Sequence, residues 1–154
     1  MRLSPKLKKE VDQVVNQYEF KAGAILPIMH RLQELYGYLS EDLLASIGDY
    51  LNIPPVDLFE VATFYAFFNT KPVGENVILV CETISCYLNN GEAVIAQLEK
   101  ELGIKPGETT PDNKFTLQLT SCLGACDRSP AMMINDKTYF ELTPEKISQI
   151  LQKY

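Results

Sequence analysis

Several things this chain lacks narrow its chemistry at once. No stretch approaches eighteen consecutive apolar residues, which removes a membrane-spanning helix from consideration. The opening Met1-Arg2-Leu3-Ser4-Pro5-Lys6 is polar and has no apolar core, so no secretory signal is visible and a reduced, cytosol-like compartment is expected. Basic residues are outnumbered, 14 Lys and Arg against 20 Asp and Glu, for a net charge of -6. That balance disfavours nucleic acid or an anionic membrane as a partner, since both are bound through basic patches. There is no Gly-x-Gly-x-x-Gly and no Walker loop, so nothing marks a nucleotide site on this chain. No nucleophile–base constellation stands out, and Glu41-Asp42 is explained by a helix start. The single histidine, His30, sits between Met29 and Arg31 without another candidate ligand close by in sequence, which makes it a packing or surface residue.

What is present is enough apolar material, 46% of 154 residues, for one ordinary domain or two small ones. Ser4-Pro5 predicts a helix start, with Leu7, Val11, Val14, Val15 and Tyr18 at helical spacing. A second helix is expected from about Leu26-Pro27, burying Ile28, Met29, Leu32, Leu35 and Tyr36 and ending at Gly37. Ser40 caps a third, with Leu43, Leu44, Ile47 and Leu51 inward. A fourth is expected over Pro55–Phe68, where an aromatic block invites two readings, core or a seat for a partner chain. Lys71-Pro72-Val73-Gly74 breaks the pattern and suggests a boundary: a helical bundle over 1–72 and a second domain over 73–154.

Beyond that break the pattern turns to strands. Val77–Val80 reads as a buried strand ending at Cys81, and Asn90-Gly91 introduces a helix carrying Val94, Ile95, Leu98 and Leu102 as far as Gly103. Phe115–Thr120 alternates as a strand leading to Cys122, with the longest loop, Pro106–Asn113, before it. Met132–Ile134 and Tyr139–Glu141 flank a turn over Asn135–Thr138, and Thr143-Pro144 opens a last helix with Ile147, Ile150 and Leu151 inward. The order β-α-β-β-β-α makes the chain α+β, with the grammar of a thioredoxin-like sheet in its second part.

The four cysteines all fall in that second part, as Cys81-x4-Cys86 and Cys122-x3-Cys126. Each pair follows a predicted strand, so two loops can converge at one end of the sheet. Four thiolates serve either a binuclear iron–sulfur cluster or a structural zinc. Neither pair has the Cys-x-x-Cys spacing usual for zinc knuckles and redox dithiols, and two disulfides do not suit a reduced compartment. A [2Fe–2S] cluster suits the spacing best, because each of its irons needs two thiolates, with zinc as the competing reading. Gly124 permits close backbone approach, and its N–H is a candidate donor to sulfur. Glu82 and Asp127 add negative charge beside the cysteines and Arg128 opposes it. A low potential is expected, on the order of −400 mV as in plant-type ferredoxins.

Several segments carry a resemblance. They are Leu26-Pro27-Ile28-Met29-His30, Ile53-Pro54-Pro55, Glu60-Val61-Ala62-Thr63-Phe64-Tyr65, Gly107-Glu108-Thr109-Thr110-Pro111-Asp112, and Cys122-Leu123-Gly124-Ala125-Cys126 with Ser129-Pro130. Through them the chain resembles, over nearly its whole length, the thioredoxin-like [2Fe–2S] subunits of NADH:quinone oxidoreductase, respiratory complex I. The resemblance implies that Cys81 and Cys86 bind one iron and Cys122 and Cys126 the other. It implies a non-catalytic electron-carrying role beside a flavoprotein subunit that holds FMN, the NADH site and a [4Fe–4S] cluster. It also implies docking through the N-terminal helices, further complex I subunits as neighbours, and a place in a peripheral arm on the cytoplasmic face of the inner membrane. The corresponding subunits of NAD-linked hydrogenases and formate dehydrogenases share the cysteine pattern and are the nearest alternative. A zinc-stabilised interaction module is an alternative of another class. Glu82 and Asn89 depart from the residues usual in the family, which bears on cluster potential and docking rather than ligation.

Overall fold

The computed structural model describes residues 3–154. They form two compact units, one running up to Pro72 and the other from Val73.

The first unit is helical: α1 (Pro5–Val15), α2 (Ile25–Tyr36), α3 (Glu41–Leu51) and α4 (Pro55–Phe64), with a 3-10 turn at Lys21–Ala24 leading into α2. Ser4 and Ser40 cap α1 and α3, accepting from the N–H groups of Leu7 at 3.2 Å and Leu43 at 3.3 Å. Leu7 and Val11 of α1, Ile28, Met29 and Leu32 of α2, four apolar residues of α3 and Leu58 and Ala62 of α4 close one core. Three expectations shift. α1 ends at Val15, so Tyr18 lies beyond it and is exposed. Leu35 and Tyr36 fall in the last turn of α2, which runs past the buried stripe, and both are exposed.

The third correction is the end of α4, which stops at Phe64 instead of Phe68, with Tyr65 extended at φ -95 and ψ 121. Aromatic side chains lose rotamer freedom in a helix, and the Thr63 hydroxyl turns back to the Phe59 and Glu60 carbonyls. The following backbone is satisfied from elsewhere. Gln33 donates its side-chain amide to the Phe67 carbonyl and accepts from the Asn69 N–H, both at 2.7 Å. Leaving the helix lets Phe68 bury itself at 6% exposure, while Phe64 stands 79% exposed. The aromatic block is therefore part core and part surface.

The second unit holds a four-stranded sheet in the order β2-β1-β3-β4, from β1 (Asn76–Cys81), β2 (Phe115–Thr120), β3 (Met132–Ile134) and β4 (Lys137–Tyr139). β1 runs parallel to β2 and antiparallel to β3, and β3 is antiparallel to β4. A parallel pair needs a crossover, supplied by α5 (Ile84–Leu88) and α6 (Gly91–Leu102). α7 (Pro144–Leu151) closes the unit. Central β1 is buried at five of its six positions, which explains its unbroken apolar run. Ile78, Val80, Leu117, Met132 and Ile134 pack with Val94 and Leu98 of α6 and Ile147 and Ile150 of α7.

Two details differ from the sequence reading. The β3–β4 turn is two residues, Asn135-Asp136, because Asn135 adopts φ 51 and Ile134 pairs with Lys137; β4 thus ends at Tyr139, where the expected strand began. α5 was not anticipated, since five residues are too few for a periodic signal.

Ile78, with no exposed surface at the centre of the sheet, is the sensitive point. Ile78→Ala is expected to cost about 2–5 kcal/mol, read as a lower urea midpoint. An unchanged midpoint would show that this strand is not the core of its unit.

Candidate metal centre

Cys81 is the last residue of β1, and its register partner Thr120 is the last of β2. The two parallel strands finish level, and the Glu82 N–H still donates to the Thr120 carbonyl at 3.2 Å. The chain leaving β1 turns into α5, which carries Cys86. The chain leaving β2 carries Cys122 and then Cys126, which opens a 3-10 turn over Cys126–Arg128. All four thiols are free, with Cys81 and Cys86 buried and Cys122 and Cys126 exposed. The structure thus places all four cysteines at or just beyond the ends of the two paired strands.

They meet as two close pairs. The Cys122 and Cys126 sulfurs are 3.3 Å apart, and Cys81 and Cys86 are near enough for each thiol to shift the other. Among the described residues, no three His, Cys, Asp or Glu side chains gather as they would around one metal ion. Donors approach each pair. The Gly124 N–H lies 3.3 Å from the Cys122 sulfur, the Leu123 N–H and the Thr83 hydroxyl and N–H point at Cys81, and the Ala131 N–H points at Cys86. The Thr83 hydroxyl oxygen is 3.1 Å from the Cys81 sulfur.

These contacts divide the thiols. Burial alone would push Cys81 up, but hydrogen bonds from Thr83, Cys86 and Leu123 outweigh it and hold the thiol below its usual range. Burial, then the hydrogen bond with Cys81, pushes Cys86 up to about 11. The Gly124 N–H, followed by Cys126, draws Cys122 down, while the hydrogen bond with Cys122 raises Cys126. Within each pair one thiol is therefore lowered and the other raised.

Two glycines make the geometry possible. Gly124 sits at φ +78, left-handed backbone that a side chain would strain. A Cβ on Gly91 would lie 2.7 Å from the Cys86 carbonyl oxygen, so only glycine lets α6 start against α5. Asn89 ties this corner down, donating to the Ser85 carbonyl and the Ser129 hydroxyl, each at 2.8 Å. Arg128 lies over the Phe140 ring at 3.7 Å and approaches Asp127 at 3.8 Å. Glu82 faces a cleft of about 380 Å³ that also touches Cys81, Tyr87, Glu92 and Glu99.

The sequence profile of thioredoxin-like [2Fe–2S] ferredoxins matches residues 11–154. The chain belongs to that family. It is 39% identical over 152 residues to the E subunit of the NADH-quinone oxidoreductase of Escherichia coli (strain K12), covering 99% of this chain and 92% of that one. The corresponding protein of Pseudomonas aeruginosa is 35% identical, with the same coverage. Among solved structures, an NAD+-reducing [NiFe]-hydrogenase in the air-oxidized state superposes with a TM-score of 0.69 at 25% identity. That match covers 84% of this chain but 22% of the hydrogenase chain, about a fifth of the longer polypeptide.

The donor set fits the [2Fe–2S] group of the family. Thiols in two pairs suit two irons, and N–H and O–H donors aimed at sulfur suit thiolates that carry negative charge. Sequence reasoning anticipated the Gly124 donor and missed Thr83, the Ser85 hydroxyl that lowers Cys126, and the Leu123 and Ala131 N–H groups. Two hydroxyl residues inside Cys81-Glu82-Thr83-Ile84-Ser85-Cys86 were the available signal for the first two.

Gly91→Ala is expected to displace α5 and lower the iron and sulfide content of the purified protein several-fold while far-ultraviolet circular dichroism stays near wild type. Full iron content in that variant would show that α5 yields without cost to the centre.

Proposed function

We propose that this protein is the [2Fe–2S] electron-transfer subunit of an NADH:quinone oxidoreductase, with Cys81 and Cys86 holding one iron and Cys122 and Cys126 the other. The observation that carries this reading is the meeting of two thiol pairs, from the loops after β1 and β2, at one end of the sheet. Two pairs favour a binuclear group over a lone tetrahedral zinc. When bound, such a cluster supplies a site that takes up and returns one electron. The residues of this chain do the rest: the cysteines anchor, the surrounding N–H and O–H groups balance charge on sulfur, and Gly91 and Gly124 hold the loops close.

In this reading residues 73–154 are the thioredoxin-like ferredoxin domain and residues 1–72 a helical bundle that helps dock the partner. That partner is a flavoprotein subunit holding FMN, the NADH site and a [4Fe–4S] cluster, where flavin turns hydride arrival into one-electron steps. Exposed apolar residues support docking on both units. Phe59, Phe64 and Phe67 are open in the first, and Ile84, Tyr87 and Leu88 of α5 flank the cysteines in the second. In this reading the protein sits in the peripheral arm on the cytoplasmic face of the inner membrane; no helix among the described residues is long and apolar enough to cross a membrane. The likeness to an NAD+-reducing hydrogenase favours one second reading, the equivalent subunit of such an enzyme. Subunits that copurify with the native protein separate the two.

The deciding experiment is electron paramagnetic resonance and absorption spectroscopy of the dithionite-reduced protein, with iron and sulfide counted. Two irons and two sulfides per chain with a one-electron signal are expected; one zinc and no sulfide would overturn the reading. Substituting any one of the four cysteines by alanine is expected to lose or remodel the cluster, and normal iron content in Cys81→Ala would remove it from the ligand set. Phe64→Ala is expected to weaken binding of the flavoprotein partner about tenfold, near 1.4 kcal/mol. An unchanged dissociation constant would return this ring to a local packing role.

A further inference from the structure

Thr83 occupies the N-cap of α5 with the extended backbone usual there, φ -74 and ψ 166, yet its side chain makes no capping hydrogen bond. An N-cap hydroxyl ordinarily accepts from the N–H two or three residues on, as Ser4 and Ser40 do in this same chain. The main chain of Thr83 still serves the helix, its carbonyl accepting from the Tyr87 N–H at 2.9 Å. Its hydroxyl is turned away, to 3.1 Å from the Cys81 sulfur. The contact is made from a half-buried position beside the buried Cys81.

We propose that Thr83 is a positioning residue that sets the reduction potential of this centre, its hydroxyl donating to the Cys81 sulfur. The inference rests on the reading that the four cysteines hold a [2Fe–2S] cluster. With free thiols either atom of the pair can donate. Once Cys81 is a thiolate on iron it has no proton left, and the hydroxyl becomes the donor. Reduction adds one electron and increases the negative charge shared by the sulfurs, while the hydroxyl keeps its proton. A donor fixed on sulfur therefore favours the reduced state more than the oxidised one and raises the potential. Glu82 next door acts in the opposite sense, because its charge opposes the incoming electron. The potential is set by the balance of the two neighbours.

The test is a redox titration of the full chain, monitored by electron paramagnetic resonance, for wild type, Thr83→Val and Thr83→Ser. Valine keeps the shape and removes the hydroxyl, so its midpoint is expected to fall by about 59 mV, a tenfold change in the one-electron equilibrium. Serine restores the donor and is expected to titrate close to wild type. A valine variant with full iron content and an unshifted midpoint would overturn the proposal, as would a serine variant shifted as far as valine. If the valine variant assembles no cluster while the serine variant does, the hydroxyl is needed for assembly, and the potential-setting role is likewise overturned. The wild-type titration checks the underlying reading separately: without a one-electron [2Fe–2S] signal there, the cluster itself falls, whatever the variants do.

Discussion

The parallel pairing of β1 with β2 is the constraint on which the site depends. Because Cys81 stands opposite Thr120, two chain segments about forty residues apart leave the sheet at the same level and on the same side. Both cysteine-bearing loops then start from the same end of the sheet without a long-range tether between them. The cost of a parallel pair is its crossover, and here the crossover does two jobs. α6 lays Val94 and Leu98 on the sheet, and α5 presents Cys86 against Cys81. A slip of one residue in this register would exchange the two covered faces of β1, with their different packing partners, and move Cys81 away from Thr120, so stability and chemistry share one determinant.

Sulfur in this corner is surrounded by donors that the fold has already oriented. The Gly124 N–H is directed by a left-handed backbone, the Leu123 and Ala131 N–H groups by the loops they sit in, and the Thr83 hydroxyl by giving up its cap. Preset dipoles of this kind stabilise negative charge without reorganising as it changes, which suits a centre whose charge alternates by one. The acidic surface nearby, Glu82, Glu92 and Glu99 around one cleft, works against added electrons. Donors close to sulfur and carboxylates farther out therefore pull the potential in opposite directions.

The elements with long, regular patterns were legible in the sequence: α1, α3 and α6 from their apolar spacing and punctuation, β1 and β2 from a buried run and an alternation. Where pattern and tertiary demand disagreed, the latter prevailed. Phe64 to Phe68 continue a helical spacing, but Gln33 offers the backbone another set of partners and Phe68 finds a buried place only by leaving the helix. Leu35 and Tyr36 match the buried stripe of α2 yet lie in its last turn, where both are exposed. The turn at Asn135-Asp136 is shorter than expected because asparagine accepts a positive φ that most residues resist.

Residue type and order alone determined which atoms are available for the chemistry: four thiolates, in two pairs, each placed just after a strand. They also determined much of each core, since apolar period follows from local geometry, but not Tyr18, Leu35 and Tyr36, which match the period and are exposed. Only the tertiary structure decided which groups face those thiolates. Cys86 on a short helix, a hydroxyl diverted from its cap, and N–H groups from Leu123 and Ala131 leave no periodic trace, because each depends on how segments distant in sequence are placed across the end of one sheet. Hydrogen bonds of that kind act over about 3 Å, a distance that spacing along the chain does not encode.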